Sequence, residues 1–150
     1  MPVEIKEASI QHLGKLYEIE IECFQKEAFT KQQIAYLLTD RNSMSLIAKS
    51  NGEIAGFVIG KIYRDNKSST GHILTIDVSP KYRRKGIGLK LLQELERILK
   101  KRGVKACFLE AREDNIAALS LYRKHGYKEA EKLKNYYGNT NGVYLKKALT

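Results

Sequence analysis

Between residues 10 and 24 the apolar positions Leu13, Leu16, Tyr17, Ile19, Ile21 and Phe24 recur mostly at steps of three and four. Such spacing lays an apolar stripe along one side of an α-helix. Before it, residues 3–8 alternate as a half-buried strand does, and Ser9 is suited to cap the helix. Thr30 and Gln33 have the form of a capping box, so a second, short helix follows through Ile34, Leu37 and Leu38. Residues 25–29 are left as the loop between the two helices.

Residues 43–49 and 53–63 are β-rich runs separated by Asn51-Gly52, whose tolerance of positive φ predicts a type I′ hairpin. Residues 65–71 are polar and read as a loop, and 72–78 (His-Ile-Leu-Thr-Ile-Asp-Val) as a central strand closed by Ser79-Pro80. Helical spacing returns over 88–102, with Gly103 as its stop. Residues 104–111 form a further strand, and Asp114 or Asn115 opens a helix that ends at Gly126. Residues 127–131 and 142–149 read as closing strands. The order β-α-α-β-β-β-α-β-α-β-β predicts one α/β domain over residues 1–150, with a mixed sheet of about six to seven strands and about four helices.

A chain of 150 residues that is 43% hydrophobic can bury one core. No apolar run approaches the roughly 20 residues that span a bilayer, and the start lacks the apolar stretch of a signal peptide. A cytoplasmic protein that does not bind membranes is therefore expected. Cys23, Cys107 and the histidines 12, 72 and 125 are scattered, which gives no metal-ligand or redox spacing. Both cysteines read as small hydrophobes, with a cysteine nucleophile the lesser alternative. The net charge of +10 favours an anionic partner. No RNA-binding signature accompanies it, so direct nucleic-acid binding is not expected. Little apolar surface looks spare, which suits a monomer or weak dimer.

Arg83-Arg84-Lys85-Gly86-Ile87-Gly88 stands between a strand and a long helix. Unpaired amides at a helix N-terminus, glycines that admit close approach and flanking cations together suit a pyrophosphate. The lysine-bearing loop of nucleoside triphosphatases is absent, and so is the third glycine of the dinucleotide fingerprint. The plain alternative is a solvated basic turn.

Here the sequence resembles the GNAT superfamily, whose phosphate loop reads Arg/Gln-x-x-Gly-x-Gly/Ala: Arg83, Gly86 and Gly88 match. Residues 115–127 are similar to the family's Asn-x-x-Ala-x-x-Leu-Tyr-x-x-x-Gly-Phe segment. The resemblance implies a GNAT-like fold and acetyl-coenzyme A as co-substrate, with no metal. It further implies that the backbone of Ile76, Asp77 and Val78 pairs with the pantetheine arm and that Arg83, Arg84, Lys85, Gly86, Ile87 and Gly88 hold the pyrophosphate. Asn115 would bond the pantetheine, and Tyr122 would reach the thioester sulfur.

Acetyl transfer by direct attack on a thioester needs a neutral amine, although amines are mostly protonated near pH 7. A base must take a proton, and an acid must help the thiolate leave. Residues 108–112 (Phe-Leu-Glu-Ala-Arg) resemble the Leu-Glu-Val-Arg segment of protein N-terminal acetyltransferases, including the ribosomal-protein alanine type. By that resemblance Glu110 is the base and Tyr122 the acid. His72 is the second candidate base, ordering a water with Glu110. The alternatives are a surface Glu110 paired with Arg112, a packed Tyr122 and a structural His72.

Residues 134–138 (Lys-Asn-Tyr-Tyr-Gly) resemble the stretch before the last strand of the same enzymes, so Tyr136, Tyr137 and Phe29 become acceptor contacts, with Glu27 beside them. The first inter-helix loop lacks the Pro and Trp often seen there. The function implied is acetylation of the α-amine of a protein N-terminus, ribosomal proteins included. A lysine or small-amine acetyltransferase, or a non-catalytic acyl-coenzyme A-binding or ribosome-associated module, is the alternative.

Overall fold

The computed structural model describes residues 2–149. In chain order the elements are β1 (Glu4–Glu7), α1 (Leu13–Phe24), α2 (Lys31–Thr39), β2 (Ser43–Ser50), β3 (Glu53–Arg64), β4 (Ser69–Val78), α3 (Ile87–Lys101), β5 (Ala106–Arg112), α4 (Ile116–Lys124), β6 (Lys128–Leu133) and β7 (Gly142–Ala148). The expected order is the observed one. The seven strands form one sheet in the order β1-β2-β3-β4-β5-β7-β6. Every pairing is antiparallel except β4 with β5. No helix among the described residues is long and apolar enough to cross a membrane.

Helices cover both faces of this sheet, which is why β2 and β3 carry unbroken apolar runs rather than alternation. On one face Leu91, Leu92, Leu95 and Leu99 of α3 pack on Leu46, Val58, Ile62 and Ile73. On the other, Leu16 and Ile19 of α1 and Ile34 and Leu37 of α2 cover Ile47, Phe57 and Ile59. The local signals act as read: Asn51 and Gly52 have φ of 54° and 78°, and Gly103 and Gly126 end their helices at 86° and 94°. The Thr30 hydroxyl accepts from the Gln33 amide at 3.1 Å, and Gln33 Oε1 accepts from the Thr30 amide at 2.8 Å.

Three readings are corrected. The first helix opens as a 3₁₀ turn over Ile10–His12 before α1 begins. Ile21, assigned to its apolar stripe, is 41% exposed, whereas Glu20 is buried at 1%. β4 starts at Ser69, inside the expected loop, because Ser69 and Thr70 pair with Arg64 and Tyr63 and the Ser69 hydroxyl donates to the Gly103 carbonyl at 2.8 Å. Tertiary pairing there orders residues whose own pattern is polar.

Two irregularities of β4 create the site. Its pairing with β5 is confined to Thr70–His72 against Ala106–Phe108, after which the strands part. On its other edge, Ile59 faces Thr75 while the next residue, Gly60, faces Ile73, so Leu74 is an inserted residue. Ile73 and Ile76 belong to the α3 cluster, while Leu74 joins the α1/α2 cluster and Thr75 bonds to α1. The bulge thereby turns two consecutive side chains to one face.

Candidate active site

Beyond the β4–β5 rungs, α1, the α1–α2 loop, α4 and the β6–β7 loop enclose a cavity of about 400 Å³. His72, Ile76, Glu110, Asn115 and Tyr122 line it, together with Glu27, Phe29, Tyr136 and Tyr137, the residues expected to contact an acceptor. His72 sits opposite Phe108 in the last rung. Glu110, two residues on and therefore on the same face, comes within reach. His72 Nε2 and Glu110 Oε1 lie 2.7 Å apart, and the imidazole stacks on Phe108 with 4.4 Å between ring centres. The alternative pairing of Glu110 with Arg112 is not adopted.

Arg112 instead joins three segments. Its Nη1 donates to Glu27 Oε1 at 2.5 Å, its Nε to Asp114 Oδ1 at 2.9 Å and its Nη2 to Thr140 Oγ1 at 3.0 Å. The guanidinium also lies 5.7 Å from the centre of the Tyr137 ring. The α1–α2 loop and the β6–β7 loop, expected as acceptor clamps, are thus tied together through the end of β5.

Burial pushes the Tyr122 phenol well above its ordinary range, and Asp77 and Tyr137 add to the shift. It is protonated at neutral pH, the form an acid requires. Burial raises Tyr137 to about 12, with Tyr136 and Glu110 contributing. The Tyr136 and Tyr137 rings meet edge-on at 4.9 Å. A Cβ at Gly142 would stand 3.1 Å from atoms of both, so that glycine makes room for the pair.

Sequence reasoning missed the floor of the cleft. Thr75 Oγ1 lies 2.5 Å from Asp77 Oδ1 and 3.0 Å from Glu20 Oε1, and Glu20 Oε2 accepts from the Phe29 amide at 3.0 Å. Asp77 is fully buried and its Oδ2 has no partner. Burial, and next the Glu20 charge, drive the Asp77 carboxyl well above its usual range. The signal was in α1: Leu16, Ile19, Glu20 and Cys23 fall at helical spacing, which places a carboxyl on the buried side. The role expected of Asp77 concerned its backbone; its side chain belongs to this network.

The Arg83–Gly88 loop lies outside the cavity, past the far end of β4. Arg84 and Gly86 have φ of 64° and 78°, and α3 begins at Ile87. The first amides of that helix have no acceptor within it. Arg83 Nε donates to the Val78 carbonyl at 3.0 Å and its Nη2 to Cys23 Sγ at 3.3 Å, so that carbonyl is already engaged. Asn115 caps α4, its Oδ1 accepting from the Ala118 amide at 3.2 Å. Burial raises the Cys23 thiol to about 11 and Cys107 to about 12, which leaves neither as a thiolate nucleophile at neutral pH.

The fold is thus a sheet parted between two parallel strands, with a basic turn at one end and His72, Glu110 and Tyr122 in the gap. The chain belongs to the acetyltransferase (GNAT) family, whose model matches residues 13–127. Ribosomal protein bS18-alanine N-acetyltransferase of Escherichia coli is 40% identical over 92 residues, 61% of this chain and 60% of that protein. The match thus spans less than two thirds of that relative's length. The crystal structure of the Escherichia coli enzyme superposes with a TM-score of 0.88 at 27% identity, covering 99% of this chain and 95% of that one. An N-alpha-acetyltransferase of Sulfurisphaera tokodaii is 32% identical over 117 residues, 72% of this chain and 70% of that protein. The PaiA N-acetyltransferase of Thermoplasma acidophilum, solved in complex with coenzyme A, has a TM-score of 0.81 at 25% identity over 99% of each chain.

Proposed function

We propose that this protein transfers the acetyl group of acetyl-coenzyme A to the α-amine of a protein N-terminus. The observation that carries the reading is the His72–Glu110 pair, held at 2.7 Å in the same cavity as the protonated Tyr122. Binding alone would require neither a base nor an acid. The names of the Escherichia coli and Sulfurisphaera relatives support the α-amine as acceptor.

The residues present fit the co-substrate. Past the last β5 rung, β4 has a free edge that a pantetheine arm can extend along, and the turned amides and cations of Arg83–Gly88 suit a pyrophosphate. Acetyl-coenzyme A supplies the activated acyl group and a thiolate leaving group. Glu110 accepts the proton that the ammonium must lose before its nitrogen can attack. His72 donates from Nε2 to Glu110 Oε1, which fixes the carboxylate and leaves Oε2 for the acceptor. As the C–N bond forms and the C–S bond breaks, Tyr122 gives its phenolic proton to the sulfur. It is reprotonated by the second proton that the nitrogen loses in becoming an amide. The acceptor's first residue is held among Phe29, Tyr136 and Tyr137. An acceptor presented at the ribosome would place the protein in the cytoplasm.

Thiol release from acetyl-coenzyme A, measured on short peptides with varied first residues, tests this. Turnover should follow the first residue, vanish on blocked N-termini and ignore an internal lysine. Turnover that persists on blocked peptides would move the activity to lysine.

A further inference from the structure

Phe29 and Leu74 line the cavity described above on one side and, on the other, a shallower concavity of about 600 Å³ between α2 and the turn end of the β3–β4 hairpin. Two large rings stand on that second hollow without a core to cover them: Tyr36 is 59% exposed and Tyr63 47%. Lys61 Nζ sits 5.3 Å from the centre of the Tyr36 ring and 5.9 Å from that of Tyr63, and 3.2 Å from Asp40 Oδ2. We propose that this hollow seats the third residue of the acceptor polypeptide and selects an uncharged, apolar or aromatic side chain there. The proposal rests on the α-amine reading above.

A polypeptide whose first nitrogen reaches Glu110 must leave the cavity again. Towards β5 and β7 its way is crossed by Arg112, bonded to Glu27 and Thr140. Towards α2, the half-buried side chains of Phe29 and Leu74 form the divide between the two hollows. The His72 ring, at the reaction centre, and the Tyr63 ring are 6.4 Å apart. An extended chain advances roughly 3.3 Å per residue, so two residues cover that span and the third arrives over Tyr63.

The chemistry of the hollow sets the preference. Phe29, Leu74, Tyr36 and Tyr63 offer apolar surface. Lys61 already occupies the neighbourhood of both rings, so a cationic side chain meets like charge where it would otherwise stack. An acidic side chain has to draw Lys61 away from Asp40. An apolar side chain displaces only water.

Peptides sharing their first two residues, chosen for best turnover, and carrying Leu, Phe, Glu or Lys third provide the test. We expect KM for the Leu and Phe peptides about tenfold below that for Lys at similar kcat, the scale of burying one apolar side chain. The double variant Tyr36→Ser/Tyr63→Ser should erase that spread while keeping the preference for the first residue, with an unchanged melting curve showing that it folds. Lys61→Met should admit the Lys peptide. Equal KM for all four peptides, or a spread that survives the double variant, overturns the hollow's role and leaves the α-amine reading standing. Acetylation confined to lysine side chains of N-terminally blocked peptides overturns both.

Discussion

A carboxylate can serve as base only if something keeps it from wandering and nothing neutralises it. At Glu110 the first condition is met by His72, whose ring is itself held by stacking on Phe108. The second is met because Arg112, two residues away on the same face, is engaged by Glu27, Asp114 and Thr140. Tyr122 is the complementary case, since its burial favours the neutral phenol. Tyr122→Phe removes the proton and keeps the ring, so kcat should fall by about 10²- to 10⁴-fold with the melting curve unchanged. Because the raised phenol still holds its proton at the ordinary tyrosine value of about 10, the wild-type rate should show no loss from tyrosine ionisation below that pH. A pH–rate profile with an alkaline limb near 8 that Tyr122→Phe abolishes would refute the assignment. That Glu110 and Tyr122 belong to one cavity was legible from their motifs. That His72 and Glu110 touch was not, because it depends on which residue β4 sets opposite Phe108.

The elements were legible because each carries its own punctuation: Asn51-Gly52 for the β2–β3 turn, Thr30 and Gln33 for α2, Gly103 and Gly126 for helix ends. What pairing decides was hidden, namely the early start of β4, its bulge at Leu74 and the point where β5 leaves it. The buried network of Glu20, Thr75 and Asp77 follows from that bulge, and within it the Asp77 carboxyl is raised by burial. Above about pH 4 an unfolded aspartate has released its proton, while the folded Asp77, raised by burial, still holds one. Folding is therefore opposed increasingly as pH rises, until the folded group itself ionises. Asp77→Asn keeps an oxygen for Thr75 and carries no charge, so it should raise the melting temperature more near pH 8 than near pH 5. Equal shifts at the two values would mean that Asp77 does not carry its proton in the fold. The strap at Arg112 makes a separate prediction. Arg112→Ala frees the α1–α2 loop from the β6–β7 loop, and KM for the acceptor should rise about tenfold while KM for acetyl-coenzyme A stays put. A fall in kcat alone would place Arg112 in the chemistry instead.

Taken whole, the molecule separates its charge along β4. Where β4 and β5 part, the three carboxylates Glu20, Glu27 and Glu110 outweigh the one guanidinium, Arg112, although the chain carries a net +10. Cations gather past the other end of the strand, at Arg83, Arg84 and Lys85. The first end suits an ammonium and the other a polyanion, so the two substrates proposed above would meet opposite fields. Sequence showed the sign of the whole and the basic turn, but the acidic end is assembled from α1, the following loop and β5, which are far apart along the chain. Long-range attraction of this kind is screened as the Debye length shrinks from roughly 10 Å at 0.1 M salt to roughly 3 Å at 1 M. KM for acetyl-coenzyme A should accordingly climb severalfold across that range, while KM for an acceptor peptide with no charge beyond its N-terminus changes less. Replacing Arg84 and Lys85 by glutamine should flatten the dependence on salt and raise KM at low salt, with kcat preserved. A cofactor KM indifferent to salt in the wild type would mean that the surplus positive charge serves the acceptor or its carrier, and not the delivery of coenzyme A.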